Sequence, residues 1–201
     1  MPNVMINNSH CPIYTENLRT IGELIPKLKD EYLAKGQFLT QILIDDKTMS
    51  PGMDKSLMSF EISECKSINF KTQNKSSIAQ DTLDYLPDFI DSLTVDVRSC
   101  LAQGSIAESS LYKVIEKLDI FIQLMTHIHQ TLNVDSNSKL EIGLTIKELE
   151  VHLLFIVKAI NSAYKKEDTI ILEDLLEHEL IDNLTQWKIQ ALPKIKKSNS
   201  L

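Results

Sequence analysis

Between Ser77 and Ala191 apolar residues recur three and four positions apart in four successive runs, a pattern that packed helices bury and few other folds can. The first run is Leu83, Leu86, Ile90, Leu93, Val97 and Leu101. The second is Leu111, Val114, Leu118, Phe121, Met125, Ile128 and Leu132. The third is Leu149, Leu153, Ile156, Ile160 and Tyr164, widened by Val151, Leu154, Phe155 and Val157. The fourth is Leu172, Leu176, Leu180, Leu184, Trp187 and Ala191, widened by Leu175 and Ile181.

Start and stop signals divide these runs. Ser77 with Gln80, Ser105 with Glu108 and Ser138 with Glu141 have the spacing of a capping box, and Asp168 can cap the fourth run. Gly104, the stretch Asn133 to Asn137, Lys166-Glu167 and Pro193 read as stops. The expected helices are 77–103, 106–132, 139–166 and 169–192, each ~40 Å long at 1.5 Å per residue. Similar lengths joined by short loops imply an antiparallel up-down four-helix bundle over 77–193. Pro87 falls inside the first helix, where it should kink the rod.

The first 73 residues have a different texture. Val4-Met5-Ile6 and Ile13-Tyr14 are short strand candidates, with Asn7-Asn8-Ser9 as turn material. Thr20 and Glu23 form another capping pattern, followed by Ile21, Leu24, Ile25, Leu28 and Tyr32 at helical spacing; Pro26 is an imperfection there and Gly36 a stop. Phe38 to Ile44 reads as a strand turned by Asp45-Asp46-Lys47, and Ser67 to Lys71 as the last strand. This order predicts a small β-grasp-like α+β lobe over 1–73, so the whole chain is α+β but mostly α. Thr72 to Ser76 is polar and holds no apolar residue, and the domain boundary is placed there. Residues 194–201 read as a flexible basic tail.

Charge follows the same division. Residues 1–79 carry nine Lys/Arg and nine Asp/Glu, whereas residues 80–192 carry nine against nineteen, a net of −10. An acidic helical region repels phosphate backbones, so nucleic acid is disfavoured as a partner. The sequence shows no signal-peptide pattern and no apolar run of ~20 residues, which argues against a membrane role and for a cytoplasmic protein. Cys11, Cys65 and Cys100 share no Cys-x-x-Cys spacing, so neither a disulfide framework nor a zinc site is indicated.

The search for chemistry finds little. Asp81, Asp84, Asp88 and Asp91 lie on one ridge of the first helix, with Tyr85 beside them. They could dock a basic partner; the plainer reading is a solvated face. Trp187 reads as core rather than binding surface. Glu173, Asp174, Glu177, His178 and Glu179 are dense, but a di-metal bundle needs Glu-x-x-His on two helices, and no histidine here has a glutamate three residues before it. His127 and His129 point in different directions on a helix and read as a solvent-facing pair. Cys11 and Cys65 lack a local base, and the five glycines form no phosphate loop. No catalytic, cofactor or metal-ligating residue is assigned.

The stretch from Asp168 through Leu172-Glu173-Asp174-Leu175-Leu176-Glu177-His178-Glu179-Leu180 resembles a segment of uncharacterised bacterial proteins, in which an acidic loop leads into a Leu-Asp-Leu-Leu-Glu-aromatic-Glu-Leu helix. His178 stands where that pattern has tyrosine. The strand ending in Asp45-Asp46 and the Tyr85-Leu86-Pro87 turn are similar to it too. The resemblance implies a bacterial origin and no activity. In general shape the expected bundle also looks like small bacterial secretion chaperones, the flagellar export chaperones among them, though no motif residue matches. The function expected is a non-enzymatic interaction module, an adaptor or chaperone-like protein with a protein partner. The alternative is an enzyme or small-ligand binder with a pocket between lobe and bundle; a structural oligomer subunit comes third. An exposed apolar groove would favour the adaptor.

Overall fold

The computed structural model describes residues 2–13, 15, 17–49, 55–102 and 106–198, with the side chains of 55 and 56 left out. The fold is α+β and mostly helical. The chain divides into two compact units, Met1–Ile78 and Ala79–Leu201.

The first unit is built on a five-stranded sheet ordered β2-β1-β5-β3-β4, from β1 (Asn3–Ile6), β2 (Ser9–His10), β3 (Gln37–Ile44), β4 (Lys47–Met49) and β5 (Ser67–Asn74). β1 runs parallel to the central β5, and β3 antiparallel to it. Two tight turns close the hairpins: Asn7 and Asn8 between β1 and β2, Asp45 and Asp46 between β3 and β4. All four residues have positive φ, which two-residue hairpins of matching twist demand and which Asn and Asp tolerate best after glycine. Helix α1 (Ile21–Glu31) buries Ile21, Leu24, Ile25 and Leu28 in one core with Val4, Ile42, Ile68 and Phe70 of the sheet. Thr20 caps α1 by accepting from the Glu23 N–H, as its spacing predicts. Gly22 permits the close approach of the short helix α2 (Lys55–Ser59): a Cβ there would lie 2.7 Å from the Met58 carbonyl oxygen.

Three expectations for this unit need correction. The second strand is Ser9–His10; Ile13 is buried outside any strand, and Tyr14 lies outside the described residues. β4 was not anticipated. The polar stretch 72–76 is no loop: Thr72 to Asn74 finish β5, and helix α3 (Lys75–Leu101) begins at the next residue. Pairing explains this, since Gln37, Phe38 and Leu39 supply the ladder for Asn74, Gln73 and Thr72. The Asn7 side chain also accepts from the Thr72 N–H at 2.9 Å and donates to its hydroxyl at 2.9 Å.

The second unit contains α3 from Ala79 onward, α4 (Glu108–Leu132), α5 (Ile146–Lys165) and a C-terminal rod over 169–198. All contribute to one apolar core, from Leu83 through Phe121 and Ile156 to Trp187 and Ile195. The rod is α-helical over Thr169–Asp174, Ile181–Gln186 and Leu192–Ser198, with π turns at Leu175–Leu180 and Trp187–Ala191. Cross-links order these elements. Lys113 of α4 meets Asp96 of α3 at 2.8 Å, with Lys117 on the other oxygen. His129 of α4 meets Glu150 of α5 at 3.1 Å. Asn183 of the rod donates to the Leu149 carbonyl of α5 at 3.3 Å. Lys188 and Lys196 of the rod meet Asp91 and Asp84 of α3.

The helix boundaries depart from expectation in four places. α3 starts at Lys75, and the cap is Asn74, whose side chain accepts from the Ser77 N–H at 2.8 Å; it then runs unbroken through Pro87. Ser105 and Gly104 lie outside the described residues, and α4 starts after Ala107, which makes no side-chain cap bond. Ser138 caps nothing: its hydroxyl bonds Asp135, and a loop runs to Thr145, where Thr145 and Glu148 form the reciprocal capping box. A helix from 139 would have to carry Gly143 in its interior, at a cost of ~1 kcal/mol; in the loop Gly143 takes φ +86. Asp168 does cap the rod, accepting from the Ile171 N–H. Pro193 does not end it, and residues 194–198 are helix rather than tail, with Ile195 fully buried. The π turn before Pro193 changes the carbonyl register that a proline ring would otherwise strike.

Candidate functional site

The acidic ridge of α3 is exposed, as its spacing implies: Asp81, Asp84, Asp88 and Asp91 all face solvent, and Tyr85 among them is 60% exposed. Asp84 and Asp91 are engaged with lysines of the rod. Asp84 meets Lys196 at 2.8 Å, and both oxygens of Asp91 meet Lys188 at 2.6 Å. This geometry turns Asp84 and Asp91 toward holding the rod rather than a partner.

The histidines near α5 serve packing. His127 is exposed, but His129 is half-buried and paired with Glu150, so the two are not a solvent-facing pair. Burial pushes the His129 imidazole below its usual range and the Glu150 carboxyl above its own. Asn183, only 2% exposed, donates through Nδ2 to the Leu149 carbonyl and to Nδ1 of His152 at 3.2 Å. With Nδ1 accepting, the His152 proton sits on Nε2, which faces Glu179 Oε2 at 3.3 Å. No group of three metal-ligating side chains converges among the described residues.

The thiols are poor nucleophiles. Cys11 and Cys65 are buried, and burial raises both, with the charges of Asp45 and Glu64 adding to the effect at Cys65. Asp45 has structural work instead. Hydrogen bonds from the Ser67 and Lys66 N–H groups, at 2.8 and 2.9 Å, hold its carboxyl below the usual range and pin the β3–β4 turn to the start of β5.

What the sequence reading missed is an apolar surface on α5. Val151, Leu154 and Phe155, expected to widen its buried stripe, are 58%, 52% and 66% exposed. The core takes only Ile146, Leu149, Leu153, Ile156, Ile160 and Ala163 from this helix. Residues 151, 154 and 155 are spaced three and four apart, so they make one contiguous outward patch. Beside it a groove of about 180 Å³ opens between α4 and α5. Its apolar walls are Ile122 and Met125 of α4 and Leu153 and Leu154 of α5. Phe121 and Trp187 lie beneath, packed edge to face with centroids 5.6 Å apart. Thr126 and Glu150 provide the polar end. Trp187 is 1% exposed, and its indole N–H finds no acceptor among the described residues. The sequence signal for this surface was present: a run of nine apolar residues on one helix is wider than a single core stripe requires.

Residues 3–74 match the family model of the TP0873 N-terminal domain, an uncharacterised family. The match fits a resemblance to uncharacterised proteins. It covers the first unit, including the Asp45-Asp46 turn, and not the Asp168 to Leu180 segment. No curated protein and no solved structure matches the chain. Among the described residues, no helix is long and apolar enough to cross a membrane.

Proposed function

We propose that this chain is a non-enzymatic protein–protein interaction module, an adaptor or chaperone-like protein of a bacterial cytoplasm. The carrying observation is the exposed patch of Val151, Leu154 and Phe155 beside the α4–α5 groove. Contiguous apolar surface held in water on a well-formed helix is characteristic of a binding face, and single scattered residues are not. The scaffold for this face is an antiparallel up-down four-helix bundle. That reading is supported by Asp96 with Lys113 and His129 with Glu150, which join the end of one helix to the start of the next, and by Asp84 with Lys196 and Asp91 with Lys188, whose numbers run in opposite directions along α3 and the rod. The first unit is a β-grasp-like lobe, a reading supported by the strand order, the parallel β1–β5 pair and a helix between the second and third strands. In this scheme the acidic ridge of Asp81, Asp84, Asp88, Asp91 and Tyr85 contributes long-range steering, reduced by the two internal lysine pairs.

The test is comparative capture. The wild-type chain should retain a protein that Phe155→Glu loses and Tyr112→Glu keeps, since Tyr112 is equally exposed but lies near the start of α4, away from the Ile122, Met125 and Thr126 that line the groove. The complex should then re-form from the two purified components. Retention of the same proteins by wild type and Phe155→Glu would remove α5 from the account.

A further inference from the structure

The lysines at the end of the rod divide by what they face. Lys188 and Lys196 pair with Asp91 and Asp84 of α3. Lys194 and Lys197 instead line a cavity of about 260 Å³ between the rod and the loop that precedes α5, and Lys139 enters it from that loop. None of these three makes an ion pair among the described residues. Lys139 acts on Glu148 only through its charge, and Glu148 is already held by Thr145. One carboxylate, Glu141, shares the lining, so the cavity carries a net charge of +2 beside a region, residues 80–192, whose net is −10. The helix dipole favours lysines in the last turn of the rod, but it does not account for Lys139, which faces the same cavity from another element.

The walls are held in place. The Ile142 N–H donates to Gln190 Oε1 at 3.2 Å and ties the loop to the rod. Within the loop the Leu140 N–H bonds the Leu144 carbonyl at 2.7 Å. With Oε1 accepting, the Gln190 amide nitrogen is left as a donor in the lining, without an acceptor among the described residues. Leu140, Ile189 and Pro193 supply apolar wall. Apolar walls with a few placed polar groups are the composition of small-molecule sites.

We infer that the cavity between the pre-α5 loop and the end of the rod binds a small phosphate monoester with an apolar body. Lys139, Lys194 and Lys197 would hold the phosphate, and Leu140, Ile189 and Pro193 the body. Charge selects phosphate over carboxylate: a monoester carries about −1.5 to −2 at neutral pH and has three terminal oxygens to divide among three ammonium groups. No residue of α5 lines the cavity, so this site is independent of the docking face.

The full-length protein is titrated with phenyl phosphate, inorganic phosphate and benzoate by calorimetry, with the Gly143 amide resonance as a second reporter. Phenyl phosphate should bind saturably at one site, about 5-fold or more tighter than either of the others. Its binding should weaken as pH falls through about 6, where the phosphate takes up its second proton. Lys139→Gln and Lys197→Gln should each weaken it about 3-fold or more with unchanged thermal melts. Lys188→Gln, which removes a rod lysine that faces α3, should leave it as it was. Ile189→Ser should weaken phenyl phosphate and spare inorganic phosphate. Phosphatidylcholine vesicles with and without phosphatidic acid separate the sources of the ester. Phosphatidic-acid-dependent sedimentation that Lys139→Gln abolishes supports the site and places the phosphate on a lipid; no sedimentation, with phenyl phosphate bound, supports a soluble ester. If phenyl phosphate gives neither heat nor a Gly143 shift, the inference falls. It falls equally if benzoate or inorganic phosphate binds as tightly, or if Lys139→Gln and Lys197→Gln both bind undiminished. Saturable binding of a Glu-rich peptide in place of phenyl phosphate would make the occupant an acidic protein and overturn it too.

Discussion

Gly22 illustrates how a single residue's role depends on its neighbour. By helix propensity alone, Gly22→Ala should stabilise α1 by up to ~1 kcal/mol. The new Cβ would lie 2.7 Å from a backbone oxygen of α2, however, and that oxygen cannot rotate away. The substitution should therefore destabilise the first unit by about 1–3 kcal/mol, the range for overpacking, as read by denaturant unfolding. His129 permits a prediction about pH. Its folded-state pKa is lowered by burial, so the unfolded chain takes up a proton before the folded one does. Stability should fall as pH drops below about 6.5, and continue to fall until the folded-state imidazole also protonates. His129→Gln, which can still donate to Glu150, should show a shallower loss over that window in melts taken at stepped pH. Equal slopes in the two proteins would mean that the buried imidazole contributes nothing to acid sensitivity.

At the scale of elements, two competing caps lie seven residues apart. Ser138-Lys139-Leu140-Glu141 and Thr145-Ile146-Lys147-Glu148 have the same pattern, and only the second opens a helix. In it Glu148 accepts from the Thr145 N–H at 2.7 Å, and hydrogen bonds from the Thr145 backbone and hydroxyl keep the Glu148 carboxyl below its usual range. Thr145→Ala should cost about 1 kcal/mol, whereas Ser138→Ala, which loses one exposed bond to Asp135, should stay within about 0.5 kcal/mol. Thermal melts of the two variants compare them directly. Existence and type of the long helices were legible from periodicity, because a 3.6-residue repeat over six turns has no other good reading. Their ends were less legible, because capping chemistry is local and the same four-residue pattern suits a turn as readily as a helix start. The α5 surface was only half legible for a related reason: the excess of apolar residues shows in the sequence, but which of them stay uncovered does not. An apolar run tells how much of a helix can be buried, not how much its neighbours have room to cover.

At the scale of the whole molecule, the last described helix belongs to the core. Ile195 is fully buried and Lys196 pairs with Asp84 on α3. Ending the chain at Leu192 should therefore lower the melting temperature of the helical unit rather than trim an inert tail, with a cost of about 2–5 kcal/mol for the lost isoleucine alone. An unchanged melt would return residues 193–198 to the status of a tail. From the sequence alone follow the α+β class, the position of the sheet-bearing part before the helical part, the four apolar stripes, and the turns at Asn7-Asn8 and Asp45-Asp46. Each of these is written in short-range periodicity or in residues that tolerate positive φ. Tertiary structure alone decided that Thr72 to Asn74 is strand, that the rod continues through Pro193, that the ridge aspartates pair with Lys188 and Lys196, and that Val151, Leu154 and Phe155 face water. These outcomes depend on which distant residue arrives as a partner: a ladder strand, an opposing lysine, or no covering helix at all. Such meetings are set by the packing of whole elements, and no window of neighbouring residues contains them.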